Sequence, residues 1–209
     1  MRWNVKFILA SQSPRRQILL KKIIDDFDII ISNVDENVSD YNSPEDFAVK
    51  AALMKGLSVK DILSENMKNH LIISADTIVV LENKIYGKPK DENDAKNIIL
   101  ELMKKEHRVI TGYALIDQQK NHSLTGYEIS FVKIKHLNEN ELDYYVKYSN
   151  CMDKAGAYAI QDMKSFEHSN VTGNTTDFDI VESYTGSYDN IVGFPTEKVR
   201  EDLLRLKYI

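Results

Sequence analysis

The sequence predicts an α/β fold, and three observations carry that prediction. A short apolar run, Val5 to Ala10, ends at small and polar residues and meets a helix-start pattern, Ser13-Pro14, at once. Helical and strand patterns then alternate as far as Lys105. Beyond it, His107 to Ile116 and Leu124 to Leu137 alternate apolar and polar residues over lengths that suit antiparallel neighbours. With no internal repeat and no linker composition, residues 1–209 read as a single domain, two-lobed at most.

Each element has its own local reason. Val5 to Ala10 is a buried strand. Ser13 is placed to cap the next helix, Pro14 suits its first position, and Ile18, Leu19 and Ile23 give it an apolar face. Phe27 to Val34 reads as a second strand with Asp35-Glu36 at its polar end. Ser43-Pro44-Glu45-Asp46 opens a helix carrying Phe47, Ala51, Met54 and Lys55 to about Leu63, its acidic first turn complementing the helix dipole. Leu71 to Val80 is an apolar strand interrupted by Ser74-Ala75-Asp76-Thr77. Asn83 marks a turn, Gly87-Lys88-Pro89 a loop, and Asp91 to Lys105 an amphipathic helix turning Ala95, Ile98, Ile99 and Leu102 inward. After the two long strands, Glu139 to Tyr148 returns to helix. Gln161 to Gly186, rich in Ser, Thr, Asn, Asp and Gly, is expected to be a long exposed loop. Thr196 to Leu206 closes as a helix capped by Thr196.

Composition narrows the function classes. Hydrophobic residues are 43% and charged residues 28%, which sets disordered and disulfide-rich classes aside. A net charge of −5 with both signs interspersed argues against nucleic acid and anionic membrane as partners, since both attract basic surfaces. Cys151 is the sole cysteine and suits a reducing compartment, and no apolar run approaches the roughly 20 residues that span a bilayer, so a cytoplasmic location is expected. The five histidines stand apart, without paired metal-ligand spacing, and neither a Ser-His-Asp order nor a glycine-rich Walker pattern is present.

Ser11-Gln12-Ser13-Pro14-Arg15-Arg16 combines two hydroxyls, a helix N-terminus and two guanidinium groups, all of which favour phosphate. The same pattern also describes a capped helix with two surface arginines. Arginine in a first turn opposes the helix dipole, however, and an anionic ligand would relieve that cost. Asp76 sits inside an apolar strand, where an unpaired carboxylate costs several kcal/mol. It is therefore a candidate base or metal ligand, or else a buried Asp bonded to backbone donors. Lys55 follows Ala51-Ala52, so its stem can lie on small side chains, and Lys88 is flanked by residues that could aim it at a phosphate. Ordinary solvated positions describe both lysines equally well.

Taken in order, Leu9-Ala10-Ser11-Gln12-Ser13-Pro14-Arg15-Arg16, Asp35-Glu36, Lys55, Ser74-Ala75-Asp76-Thr77, Gly87-Lys88-Pro89, Lys154 to Gln161, Gly186-Ser187-Tyr188, Val192-Gly193 and Pro195 resemble the Maf family of nucleotide pyrophosphatases over nearly the whole chain. The resemblance implies a mixed elongated sheet with flanking helices in two lobes around a central cleft, as in inosine triphosphate pyrophosphatases, often as a homodimer. It implies a nucleoside triphosphate substrate cleaved between the α- and β-phosphates with a divalent metal, Mg²⁺ or Mn²⁺. Asp76 matches the proton acceptor, Glu36 and Asp76 the metal ligands, and Glu36, Lys55 and Lys88 belong to the catalytic set. Ser11, Arg15 and Arg16 match the triphosphate-binding positions, and Arg16, Thr77 and Gln161 those linked to base choice.

The run Ala157-Tyr158-Ala159-Ile160-Gln161 is most similar to the dTTP/UTP branch, in which a glutamine amide can meet both a donor and an acceptor on a pyrimidine edge. Two features depart from the family pattern. Asp162 stands where glycine is usual, and the segment before Gly186 is longer by about ten residues, an extension that an exposed loop absorbs at small entropic cost. The alternatives are the same chemistry on 7-methyl-GTP or non-standard purine triphosphates, and a nucleotide-binding regulator of cell division.

Overall fold

Strand β1, Lys6–Leu9, pairs in parallel with β2, Asp28–Ile29, on one side and with β3, His70–Leu81, on the other. The structure is a computed structural model and describes residues 5–32, 38–64, 67, 69–160 and 180–209. β4, Lys84–Tyr86, folds back antiparallel on β3 across the Asn83 turn. β5, His107–Asp117, and β6, His122–Ile134, follow, and β7, Val181–Thr185, pairs antiparallel with β6. The strand order is β2-β1-β3-β5-β6-β7, with β4 on β3, giving a seven-stranded mixed sheet. The helices are α1 Pro14–Leu20, α2 Pro44–Ile62, α3 Glu92–Leu102, α4 Glu139–Tyr148, α5 Tyr188–Val192 and α6 Thr196–Arg205. Among the described residues no helix is long and apolar enough to cross a membrane.

The expected elements are present, with corrections at their ends. The second strand pairs over only two residues, because beyond Ile29 no ladder forms in the described part. Ser13 occupies the N-cap position of α1 but its side chain caps nothing, and its backbone N–H donates instead to Ser11 Oγ at 3.2 Å. Thr196 is the first residue of α6 rather than its cap, and Pro195 precedes it with no side-chain cap. Within the expected loop from Gln161 to Gly186, Val181–Thr185 forms β7, because the edge of β6 offers its unpaired backbone groups there. Short 3-10 turns at Cys151–Asp153 and Ala155–Ala157 carry no periodic signature long enough to read from sequence.

The chain divides into two compact units, Met1–Thr77 with Ile110–Glu128 and Gly193–Ile209, and Ile78–Val109 with Ile129–Val192. In the first, Ile8, Ala10, Val59, Ile72, Ala114 and Ile116 form a buried cluster against which Ile30, Leu53, Leu63 and Met67 pack. α2 meets this core through a stripe of small residues, Ala48, Ala51, Ala52, Gly56 and Val59, spaced three or four apart. Phe47 and Met54 of the same helix are only half-buried. A side chain at Gly56 would strike Ser74 Oγ and Ile116 Cδ1 at 2.7 and 2.6 Å, and one at Gly112 of β5 would strike the Ala48 backbone at 2.3 Å. The α2 backbone thus lies almost directly on β3 and β5.

In the second unit, Ala95, Ile98, Ile99 and Leu102 of α3 are buried as the periodicity predicts, and α4 buries Leu142, Tyr145 and Val146. An Asn138–Glu141 capping box starts α4. The 3-10 turn at Ala155–Ala157 contains two left-handed residues, Gly156 and the non-glycine Ala157 (φ 58°). Gly156 N–H donates to the Gly87 carbonyl at 3.0 Å, and Tyr158 Oη lies 2.7 Å from His107 Nε2. Burial pushes the His107 imidazole down to about 4, with the Lys105 and Leu102 carbonyls partly offsetting it.

Candidate functional site

Successive residues of a strand point to opposite faces, and β3 uses this to separate two groups of polar side chains. On one face are Ser74 and Asp76. Ser74 Oγ donates to the Ala52 carbonyl of α2 at 2.6 Å, one turn before Lys55. With α2 held this close by its small residues, Lys55 Nζ reaches Asp76 Oδ1 at 2.5 Å. Both side chains are nearly buried, 12% exposed for Lys55 and 9% for Asp76. The cation that a carboxylate in an apolar strand requires is therefore Lys55, one helix away. Asp76 Oδ2 makes no hydrogen bond among the described residues.

On the other face Thr77 meets Arg16. The Arg16 guanidinium donates through Nε to the Gly193 carbonyl at 2.9 Å and through Nη2 to Thr77 Oγ1 at 3.2 Å, with a long Nη1 contact to Ser11 Oγ at 3.5 Å. Thr77 Oγ1 also lies 3.0 Å from Thr111 Oγ1 on β5 and 3.4 Å from the Gly193 carbonyl. Gly193 has φ +120°, a left-handed backbone open to glycine, and an added Cβ would approach Thr77 Oγ1 at 3.3 Å. That conformation is what aims its carbonyl at the guanidinium.

The first unit thus brings together Ser11, Arg16 and Thr77 on one face of β3 and Lys55 and Asp76 on the other. Arg15 is half-buried and makes no hydrogen bond or ion pair among the described residues, so its guanidinium is available where that of Arg16 is engaged. Lys88 belongs to the second unit, exposed in its loop between Gly87 and the buried Pro89. Glu36 and Gln161, with Asp35 and Asp162, lie outside the described residues. Among the described residues no three His, Cys, Asp or Glu side chains converge as a metal site.

Sequence reasoning passed over Thr111 and over the Gly193 carbonyl as a partner of Arg16. Thr111 carried the same signal that marked Asp76, a polar residue in an apolar strand, followed directly by a glycine. In the second unit Ser130 holds the Gly186-Ser187-Tyr188 turn. Its Oγ donates to the Ser187 carbonyl and accepts from the Ser187 N–H, each at 3.0 Å, and it accepts from Asn190 Nδ2 at 2.9 Å.

A protein of Caldicellulosiruptor saccharolyticus named dTTP/UTP pyrophosphatase is 40% identical over 97% of this chain and 96% of its own. Proteins of the same name from Bacillus cereus and Clostridioides difficile are 37% and 38% identical, over 95% and 96% of this chain and 94% of each relative. Among solved structures, a HAM1 protein from Coxiella burnetii is similar over 96% of this chain and 99% of that one, with a TM-score of 0.48 and 12% identity. The family model described as Maf-like protein matches residues 6–206, and the chain belongs to the Maf family.

Proposed function

We propose that this protein hydrolyses dTTP and UTP between the α- and β-phosphates, releasing the monophosphate and pyrophosphate, and so cleans the nucleotide pool. The observation that carries this reading is the near full-length similarity, at 37–40% identity, to relatives named for that activity. The Asp76–Lys55 pair supplies the chemistry it needs. Asp76 is the proton acceptor for the attacking water, and Lys55, held at 2.5 Å, orients the carboxylate and keeps a positive charge beside it. Arg15 neutralises the triphosphate as charge moves onto the pyrophosphate leaving group, Ser11 lines the start of the same loop, and Lys88 is the further cation that the family resemblance implies.

The donor set fits a hard divalent cation in kind. Asp76 Oδ2 is a carboxylate oxygen with no hydrogen bond among the described residues, and such ions commonly take one or two carboxylates together with substrate phosphate. Glu36 is the expected second ligand. When bound, Mg²⁺ or Mn²⁺ would polarise the phosphoryl oxygens and lower the charge repulsion that meets an incoming nucleophile. The cytoplasm is the expected site of action, and homodimerisation the expected assembly.

Pyrophosphate release across a panel of nucleoside triphosphates, with Mg²⁺ and with Mn²⁺, tests the proposal. dTTP and UTP should be turned over best. Exclusive turnover of a purine or of 7-methyl-GTP would remove the substrate assignment, and nucleotide binding without any pyrophosphate release would remove the enzyme.

A further inference from the structure

Thr77 is expected to influence base choice, yet the structure leaves its hydroxyl little to offer a ligand. A threonine hydroxyl has one proton and two acceptor sites. One acceptor site receives Arg16 Nη2 at 3.2 Å. The proton has two acceptors in reach, Thr111 Oγ1 at 3.0 Å and the Gly193 carbonyl at 3.4 Å. Whichever of these takes it, the proton is used inside the protein. Thr77 also points away from the face of β3 that carries Asp76 and Lys55. Its influence on substrate choice must therefore pass through Arg16.

The far end of this chain of contacts is Thr111. It is fully buried, and Gly112 beside it lies against the α2 backbone so closely that a Cβ would come within 2.3 Å of Ala48. Thr111 thus sits in a part of β5 packed directly against α2, and its hydroxyl meets Thr77 on the face that holds Arg16. We propose that Thr111 is a positioning residue for substrate selection, fixing through Thr77 the orientation of the Arg16 guanidinium. The proposal rests on the pyrophosphatase reading above. It adds a residue that touches no substrate but sets how sharply pyrimidine triphosphates are preferred.

Thr111→Val keeps the shape of the side chain and removes the hydroxyl, while Thr111→Ser keeps the hydroxyl and removes the methyl. In the full-length chain we expect Thr111→Val to lower the ratio of kcat/KM for dTTP over that for the poorest purine triphosphate about tenfold, the effect of one buried hydrogen bond. Most of the change should lie in KM for dTTP, and Thr111→Ser should restore the ratio. A merely structural role would lower the melting temperature and the activity on every nucleotide alike. An unchanged ratio in Thr111→Val, or an equal loss in Thr111→Ser, overturns the proposal. If Thr111→Val does not fold, Thr77→Val, which removes the hydroxyl through which Thr111 reaches Arg16, is judged by the same ratio. Wild-type protein assayed in parallel separates the two readings. If it releases no pyrophosphate, the proposed function fails, and the Thr111 proposal is then judged by calorimetric affinity for dTTP against a purine triphosphate, where equal values in wild type and Thr111→Val overturn it.

Discussion

The two faces of β3 at Asp76 and Thr77 are one residue apart and are built in opposite ways. On the Asp76 face, the short Lys55–Asp76 ion pair is set by a helix backbone resting on the sheet, and one Asp76 oxygen is left without a hydrogen bond among the described residues. On the Thr77 face, a hydroxyl and a guanidinium share several partners within the protein. An incompletely paired carboxylate is suited to taking a proton. A shared hydrogen-bond cluster is suited to holding a shape. On the proposed function, the difference separates chemistry from selection along one strand.

The comparison breaks most directly at Asp76. Asp76→Asn should lower kcat about 10³-fold, within the usual range for loss of a general base, while triphosphate affinity by calorimetry stays within a few-fold of wild type. A parallel loss of affinity would mean that the residue holds substrate instead. The next effect sets the conditions for every assay. Burial holds His107 neutral, at about 4 against 6.5 when unfolded, so its contribution is complete above pH 6.5 and is lost as pH falls through the window from 6.5 to 4. Chemical denaturation at pH 7.5 and at pH 4.5 should differ by about 3 kcal/mol on this account, and His107→Gln should flatten that slope. The two faces are therefore to be compared above pH 6.5.

Lys55→Met should reduce kcat about 10²-fold and also lower the melting temperature, because Asp76 then loses its cation in a nearly buried place. Gly112→Ala should destabilise the protein by about 2 kcal/mol, measured by denaturant titration, since the new methyl meets backbone rather than a movable side chain. Thr77→Val should be mildest. It should lower the selectivity for dTTP over a purine triphosphate about tenfold, read as a ratio of kcat/KM, with kcat on dTTP close to wild type. A Thr77→Val variant as impaired in kcat as Lys55→Met would erase the distinction between the faces.

Much of this was legible in the sequence because the relevant rules are local. The interruption of an apolar strand at Ser74 to Thr77 singled out Asp76, and burial alone required that a cation or hydrogen-bond donors meet it. The periodicity of α3 and the turn at Asn83 were equally readable. What escaped depends on partners far apart in the chain. Nothing near Arg16 says that its guanidinium bonds the carbonyl of Gly193, or that Thr111 stands behind Thr77. The seating of α2 escaped for a related reason: close approach to a sheet selects the smallest side chains, and nothing local to Ala48, Gly56 or Gly112 names the partner. β7 was hidden because a polar strand at a sheet edge has the composition of a loop.

The seating of α2 has a mechanical consequence. Side chains between a helix and a sheet usually act as a compliant layer, changing rotamer to absorb a thermal displacement or a substitution. Here the Ala48 backbone lies against Gly112, the Ala52 carbonyl accepts from Ser74 and Gly56 lets the helix down onto Ser74 and Ile116, so that compliant layer is nearly missing between α2 and the strands β3 and β5. Lys55 then inherits its distance to Asp76 from the stiffness of the backbone. The reach of that ammonium behaves as a built-in dimension of the fold, set at the moment the helix docks.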